Sequence, residues 1–299
     1  MNYRFKVAAT PQEFYEAAWI TLSQNLMPNN TILGILDSLP DKSAWYADAT
    51  GALVFDGEAL MGAMLQTKPK RPLISQMKPE AAWFAFGHWV KEFGSPDNVF
   101  GPAESVNAII RMAKSRNSSW LESVISMMAY ELLSVVFPAV PVHGQMRFAN
   151  SGDHEILEKF VLGFYVDCNL PEARSANLND DVRKVVQRFL KNDAIVVWEK
   201  AGAPVAIAAE IRKASFGSSV SLVYTPPEHR GHGYASALVA HLSQHILNQG
   251  APRCLLFTDA HNPTSNAIYQ RIGYCYQCDH VQLLNPPSVQ ETWLSDESV

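Results

Sequence analysis

The stretch from Val223 to Ala235, Val-Tyr-Thr-Pro-Pro-Glu-His-Arg-Gly-His-Gly-Tyr-Ala, combines a proline frame, two glycines and one arginine. Gly231 and Gly233 remove Cβ atoms, so the main chain can curl tightly and an oxyanion can approach it. Apolar residues precede the stretch and a helical pattern follows it. Unsatisfied N–H groups at the start of that helix, aided by its dipole and by Arg230, point at the anion. The result is an anion cradle of pyrophosphate size. It is not a Walker loop, because no Gly-Lys-Ser/Thr follows, and it is not the six-residue dinucleotide fingerprint. An ordinary Pro/Gly turn ahead of a helix is the competing reading.

The elements around the cradle follow from periodicity. Strands are expected at Ala194–Lys200 and Pro204–Ile211, joined by a turn at Ala201-Gly202, and at Ser219–Thr225. A helix is expected at Gly233–Asn248, then a strand at Arg253–Thr258, a helix at Ser265–Ile272 and a last strand at Tyr274–Leu284. Upstream, Gln145–Ala149 reads as a strand, Asp153 as the cap of a helix to Cys168, and Asp180–Lys191 as a second helix. Residues 286–299 read as irregular.

The first half has the same order of elements. Arg4–Ala8 reads as a strand and Pro11–Leu26 as a helix burying Phe14, Ala17, Ala18 and Leu22. Gly51–Phe55 and Ala59–Gln66 flank Asp56-Gly57, a hairpin signal. Pro72–Met77, a helix over Ala81–Glu92, Val99–Phe100 and a helix over Glu104–Lys114 parallel the run after Leu222. Trp120–Val136 is apolar and leans to strand near its end. An internal duplication is the simplest account. Ala81-Ala82-Trp83-Phe84 stands where the second copy has its glycines. The turn-rich Pro138–Gly144 makes the boundary, giving domains 1–140 and 141–299, the latter with its core at 145–284.

Arg230-Gly-His-Gly-Tyr-Ala235 resembles the Arg/Gln-x-x-Gly-x-Gly/Ala signature of the GNAT superfamily of acyl-CoA N-acyltransferases. Asn262-Pro-Thr-Ser-Asn-Ala-Ile-Tyr-Gln-Arg-Ile-Gly-Tyr274 is similar to that family's second landmark, an Asn-rich turn opening a helix with a tyrosine. The resemblance covers roughly Arg147–Leu284 and is weak over 1–140. It implies an α/β fold of tandem GNAT-like domains, each a mixed, mostly antiparallel sheet flanked by helices. The first domain would be a degenerate copy lacking the pyrophosphate loop.

The resemblance further implies acetyl-CoA as co-substrate and a primary amine of a small molecule, amino acid or peptide as acceptor. Amides of Gly231, His232, Gly233, Tyr234, Ala235 and Ser236 would hold the pyrophosphate. Leu222, Val223, Tyr224 and Thr225 would splay from the next strand and bond the pantetheine arm. A main-chain N–H near Val223 or Tyr224 would polarise the thioester carbonyl. Tyr269 matches the tyrosine that protonates the departing thiolate, and Asn262 and Asn266 would hold the cofactor arm or cap the helix. An ammonium must lose a proton before it attacks, and Glu210 and Asp259 are the candidate bases, each equally readable as a solvated strand-end carboxylate. A non-catalytic acyl-CoA-binding or regulatory module is the alternative, and a longer-chain donor a third possibility.

Composition agrees with a soluble, cytoplasmic globular protein. Of 299 residues 47% are hydrophobic and 18% charged, which suits two cored domains rather than a disordered chain. The net charge of −5 divides evenly, with 11 basic and 13 acidic residues over 1–145 and 13 and 16 over the rest. Without a basic face, nucleic-acid binding is not expected. Four cysteines make no disulfide framework, and Ser126–Val142, broken by Glu131, Pro138 and Pro141, is too polar to span a bilayer. The first ten residues hold no apolar core of signal-peptide length. Cys275-x-x-Cys278 with His280 has metal-like spacing, but on a strand positions 275 and 278 face opposite ways, so no metal is expected. His241 and His245 lack a metalloprotease glutamate, and His229 and His232 flank the loop, where a phosphate contact by His232 competes with plain exposure. Oligomeric state leaves no trace in the pattern.

Overall fold

The computed structural model describes residues 2–39, 43–45, 49–67, 71–117 and 123–286. Strand β1 (Tyr3–Val7) leads into helix α1 (Pro11–Ser23). Thr10 caps that helix by accepting from the Glu13 amide at 3.1 Å, and Pro11 occupies its first turn, where a missing N–H costs nothing. The expected single helix to Leu26 is instead two, because the chain breaks at Gln24-Asn25 and restarts as α2 (Leu26–Ser38). Buried Asn29 explains the break: its amide nitrogen donates to the carbonyls of Leu22 (3.1 Å) and Asn25 (3.0 Å), satisfying acceptors that α1 leaves open. Strands β2 (Thr50–Asp56) and β3 (Ala59–Gln66) form the expected hairpin, with Gly57 at φ +60°.

Strand β4 covers only Leu73–Ile74, shorter than the expected Pro72–Met77. The reason is tertiary: the Gln76 amide donates to Asn29 Oδ1 at 2.8 Å and the Met77 amide to Ser105 Oγ at 3.0 Å, so neither is available to a ladder. Helix α3 (Pro79–Phe93), β5 (Asn98–Pro102), α4 (Ala103–Arg116) and β6 (Ser123–Leu132) follow. Residues 120–122 of the apolar segment read above, and 287–299 of the tail, lie outside the described residues.

The second run begins with β7 (Gln145–Phe148) and α5 (His154–Asp167). Asp153 does not cap α5 with its side chain. Its carboxylate takes a bidentate pair from Arg147 (2.7 and 2.8 Å) and the Asn150 amide (2.8 Å), which fastens the helix start to β7. Then come α6 (Leu178–Lys191), β8 (Ile195–Lys200), β9 (Ala203–Ala214), β10 (Gly217–Tyr224), α7 (Tyr234–Asn248), β11 (Cys254–Asp259), α8 (Pro263–Ile272) and β12 (Cys275–Leu284).

Two compact units result. The first runs to Ala129 and takes in Thr258–His261 and the described residues from Gln277 on; the second holds Tyr130–Phe257 and Asn262–Tyr276. In the first, strands pair in the order β1-β2-β3-β4-β5-β12, all antiparallel except β4 with β5. In the second the order is β7-β8-β9-β10-β11, all antiparallel except β10 with β11. Each unit is a mostly antiparallel sheet with one parallel pair, and a helix follows each strand of that pair. β12, the last strand among the described residues, pairs with β5, with His280 opposite Pro102.

Each unit has its own core. In the first, Trp83, Phe86 and Trp89 of α3 and Val106 and Ile109 of α4 pack on Val54, Met64, Val281 and Leu283. In the second, Leu157 and Phe160 of α5 and Val182, Val186 and Phe189 of α6 pack on Ile195, Val197, Ile207, Leu222 and Tyr224. Each such side chain stabilises its unit by about 1.5–3 kcal/mol. Among the described residues no helix is long and apolar enough to cross a membrane.

Candidate functional site

The second unit's sheet is interrupted where the sequence places its cradle. Residues Ser218 and Ser219 pair with Cys254 and Leu255, and the parallel ladder stops there although β10 continues to Tyr224 and β11 to Asp259. On the other side of β10, Ser221 is opposite Ala209 and Tyr224 opposite Ile207, so three steps along β10 match two along β9. This bulge is built on Leu222, a buried residue held at φ +54°. A left-handed backbone costs a branched residue about 1–2 kcal/mol, and such strain persists where surrounding packing imposes it. The bulge turns the end of β10 away from a regular ladder.

Beyond Tyr224 the chain makes a short 3₁₀ turn at Pro227–His229 and enters α7 through Gly231 and Gly233, both at φ +79°. Gly231, His232 and Gly233 are exposed, and a Cβ on Gly231 would meet nothing within 4 Å, so an anion has room to approach. Tyr234 is buried in the first turn, with Ala235 and Ser236 half-buried beside it. His232 stacks on Tyr234 with centroids 5.4 Å apart, and its Nδ1 lies 2.8 Å from the Arg230 carbonyl oxygen. The Thr225 hydroxyl is buried and has no hydrogen-bond partner among the described residues, an orphaned donor at the exit of β10. The open Gly231 and a hydroxyl without a partner among the described residues fit a phosphorylated group.

Arg230 has two partners of its own. Its Nε donates to the Thr225 carbonyl at 2.9 Å and its Nη2 to Asp167 Oδ2 at 2.5 Å. Asp167 was not among the residues singled out from sequence. The one available signal was its place at the C-terminal end of a helix, where a carboxylate opposes the dipole unless a cation offsets it.

Helix α8 opens on Asn262, whose Oδ1 accepts from the Ser265 amide at 3.0 Å, and Asn266 lies one turn on, its amide bonded to the Asn262 carbonyl at 3.1 Å. Tyr269 is buried, with its ring 5.9 Å from that of Tyr274 in an edge-on arrangement. Burial, and secondarily the nearby Cys168, hold its phenol well above the ordinary tyrosine range.

Both candidate bases already have partners. Glu210, opposite Val220 where the parallel ladder has just ended, accepts from Ser218 Oγ at 2.7 Å and pairs with Lys213 Nζ at 3.0 Å. Asp259, in the stretch that groups with the first unit, accepts from the His261 amide at 2.8 Å and is half exposed. Cys278 and His280 meet each other, Sγ to Nδ1 at 3.8 Å, while Cys275 is exposed.

In the first unit the residues after β4 are held by side chains. The amides after β4 are taken by Asn29 and Ser105, Ser105 Oγ donates to the Ser75 carbonyl at 2.9 Å, and a Cβ on Gly101 would overlap the Ile74 carbonyl, so β4 and β5 stay in contact.

Residues 198–282 match the family model described as FR47-like protein. A GCN5-related N-acetyltransferase from Sphaerobacter thermophilus superposes with a TM-score of 0.62 at 14% identity, covering 96% of this chain and 97% of that one. An acetyltransferase of the GNAT family from Colwellia psychrerythraea gives 0.54 at 13% identity, with 94% and 99% covered. A tandem GNAT protein from the clavulanic acid biosynthesis pathway gives 0.54 at 11% identity, with 97% and 100% covered. No curated protein sequence matches the chain. At such identities the likeness shows the fold alone, and the sheet pairing described above agrees with it: the chain has the fold of these GNAT-family acetyltransferase structures, laid out in two compact units.

Proposed function

We propose that the chain is an N-acetyltransferase that moves the acetyl group of acetyl-CoA to a primary amine on a small molecule, amino acid or peptide. The observation that carries the reading is the parallel ladder ending at Ser219 and Leu255 directly before a loop of two exposed, left-handed glycines at the head of α7. Acetyl-CoA supplies the activated acyl group as a thioester. Amides from Gly231 to Ser236 hold the diphosphate, and Leu222, Val223, Tyr224 and Thr225 line the pantetheine arm, with Asn262 and Asn266 beside it. A main-chain N–H near Val223 or Tyr224 donates to the carbonyl oxygen that becomes negative as the amine adds. Tyr269 gives its proton to the departing sulfur; its burial keeps that proton in place at neutral pH. Glu210 or Asp259 takes the proton of the incoming amine, directly or through water.

Residues 1–140 serve in this reading as a degenerate domain without a cofactor loop, and 141–299 as the transferase domain. Asn29 and Ser105, which take the amides after β4, and the close approach of Gly101 to Ile74 support it. One acetyl-CoA should therefore bind per chain. A reducing, cytoplasmic setting fits four cysteines that form no disulfide.

The engagement of both carboxylates favours one second reading, a regulatory module that binds acyl-CoA without turnover. Tyr269→Phe separates the two, since only an enzyme loses turnover while keeping its affinity for CoA. The first test is thermal: acetyl-CoA should raise the melting temperature, and replacing Gly231 and Gly233 together by valine should abolish the rise. A rise that survives the double replacement refutes the assigned cradle.

A further inference from the structure

Three elements of the second unit meet at one carboxylate oxygen. Asp167 Oδ2, on the last residue of α5, accepts from the Tyr224 hydroxyl at 3.1 Å and from Arg230 Nη2 at 2.5 Å. Tyr224 ends β10, and Arg230 sits in the loop that leads to α7. Arg230 closes the arrangement by donating from Nε to the Thr225 carbonyl at 2.9 Å while its guanidinium carbon lies 5.8 Å from the centre of the Tyr224 ring. One turn before Asp167, α5 carries Gly163, and a Cβ there would overlap the Tyr224 hydroxyl. The absence of a side chain at 163 therefore lets the phenol reach the carboxylate. The two donors neutralise a charge that the helix dipole would otherwise disfavour at that end of α5.

We propose that Asp167 is a positioning residue for the cofactor cradle, holding the end of β10 and the 225–231 segment in the geometry that presents Gly231 and Gly233 to an anion. The proposal rests on the acetyl-CoA reading above. Arg230 ties the loop at two points, the Thr225 carbonyl and Asp167, and the carboxylate balances its charge. Burial, and then Asp167, raise the Tyr224 phenol above its ordinary value, so the hydroxyl stays a donor across the working range of pH. Without the carboxylate, Tyr224 and Arg230 lose their common partner and the loop loses its tie to α5.

The test is a double-mutant cycle on the full chain, read by calorimetry with CoA itself. Asp167→Ala and Arg230→Ala should each weaken CoA binding about tenfold, because misplacing a binding group by an ångström is enough to cost that much. The double variant should be no more than about threefold weaker than the poorer single one, since both remove the same tie. Asp167→Asn, which keeps an accepting oxygen and the size of the side chain, should lie between Asp167→Ala and the wild type; it carries the test if Asp167→Ala does not fold. A purely structural aspartate would lower the melting temperature and leave the CoA dissociation constant within threefold of wild type, and that result overturns the proposal. Multiplying effects in the double variant overturn it as well. A wild-type chain that ignores CoA overturns the acetyl-CoA reading and the proposal together, whereas binding indifferent to residue 167 overturns the proposal alone.

Discussion

Gly231 and Gly202 have almost the same positive φ, +79° and +80°, and an added Cβ would meet nothing within 4 Å at either among the described residues. Substitution by alanine thus introduces the same strain, about 1–2 kcal/mol, with no clash at either site. What differs is the freedom to relax. Gly202 lies in the two-residue turn between β8 and β9, next to Ala201 at φ +49°, and the pairing of Lys200 with Ala203 fixes that turn. Its strain must appear in stability, lowering the melting temperature by about 2–4 °C per kcal/mol for a unit of this size. Gly231 stands in an exposed loop that can escape the strain by rotating a peptide, and rotation turns an amide away from the anion. Gly231→Ala should therefore melt close to wild type yet bind acetyl-CoA about tenfold more weakly, since tenfold corresponds to about 1.4 kcal/mol. Gly202→Ala should show the reverse. Calorimetric titration and thermal melts of the two variants measure both quantities. A Gly231→Ala chain that loses stability as Gly202→Ala does, and binds acetyl-CoA as tightly as wild type, refutes the argument that this backbone holds the diphosphate.

Tyr269→Phe should lower turnover by about 100-fold, with the CoA dissociation constant unchanged within twofold, in steady-state and binding assays. Because burial holds that phenol well above its usual range, the wild-type rate should show no alkaline loss from Tyr269 up to pH 10, measured as a pH–rate profile. His280, buried with Nε2 donating to the Pro28 carbonyl at 3.0 Å, has its pKa pulled down to about 4 by burial. The unfolded chain binds the extra proton first, so stability falls as pH drops from about 6.5 towards 4, by at most about 3 kcal/mol; urea midpoints at pH 7 and 5 measure it, and His280→Gln should flatten the slope. Exposed Cys168 and Cys275 should react quickly with a thiol reagent. Cys254, pushed up to about 12, and Cys278, up to about 11, should wait for unfolding, and mass spectrometry of the labelled chain reads the order. Gly163→Ala should destabilise the second unit by about 1–3 kcal/mol, since the new Cβ overlaps a ring held by Asp167.

Much of the site was legible because its chemistry is local. Prolines 226 and 227, the glycines at 231 and 233 and the helix after them fix their own backbone within a dozen residues, and they stand where the pattern put them. Asn262 caps its helix through a contact three residues away. The hairpin at Asp56-Gly57 is of the same kind. Where the reading failed, the deciding contact was distant. The strand expected to Met77 is cut short by the side chains of Asn29 and Ser105, which take the amides of Gln76 and Met77 from 47 and 28 residues away.

What the sequence alone determined is most of the order of elements and a glycine loop between β10 and α7, since these depend on backbone preferences and spacings of a few residues. Only the tertiary structure decided that β10 and β11 part after Ser219 and Leu255, that Leu222 bears the bulge, that β12 pairs with β5, and that Arg230 turns to Asp167, 63 residues away. Those outcomes depend on which distant side chains compete for the same hydrogen bonds and the same volume, and no local spacing encodes the winner.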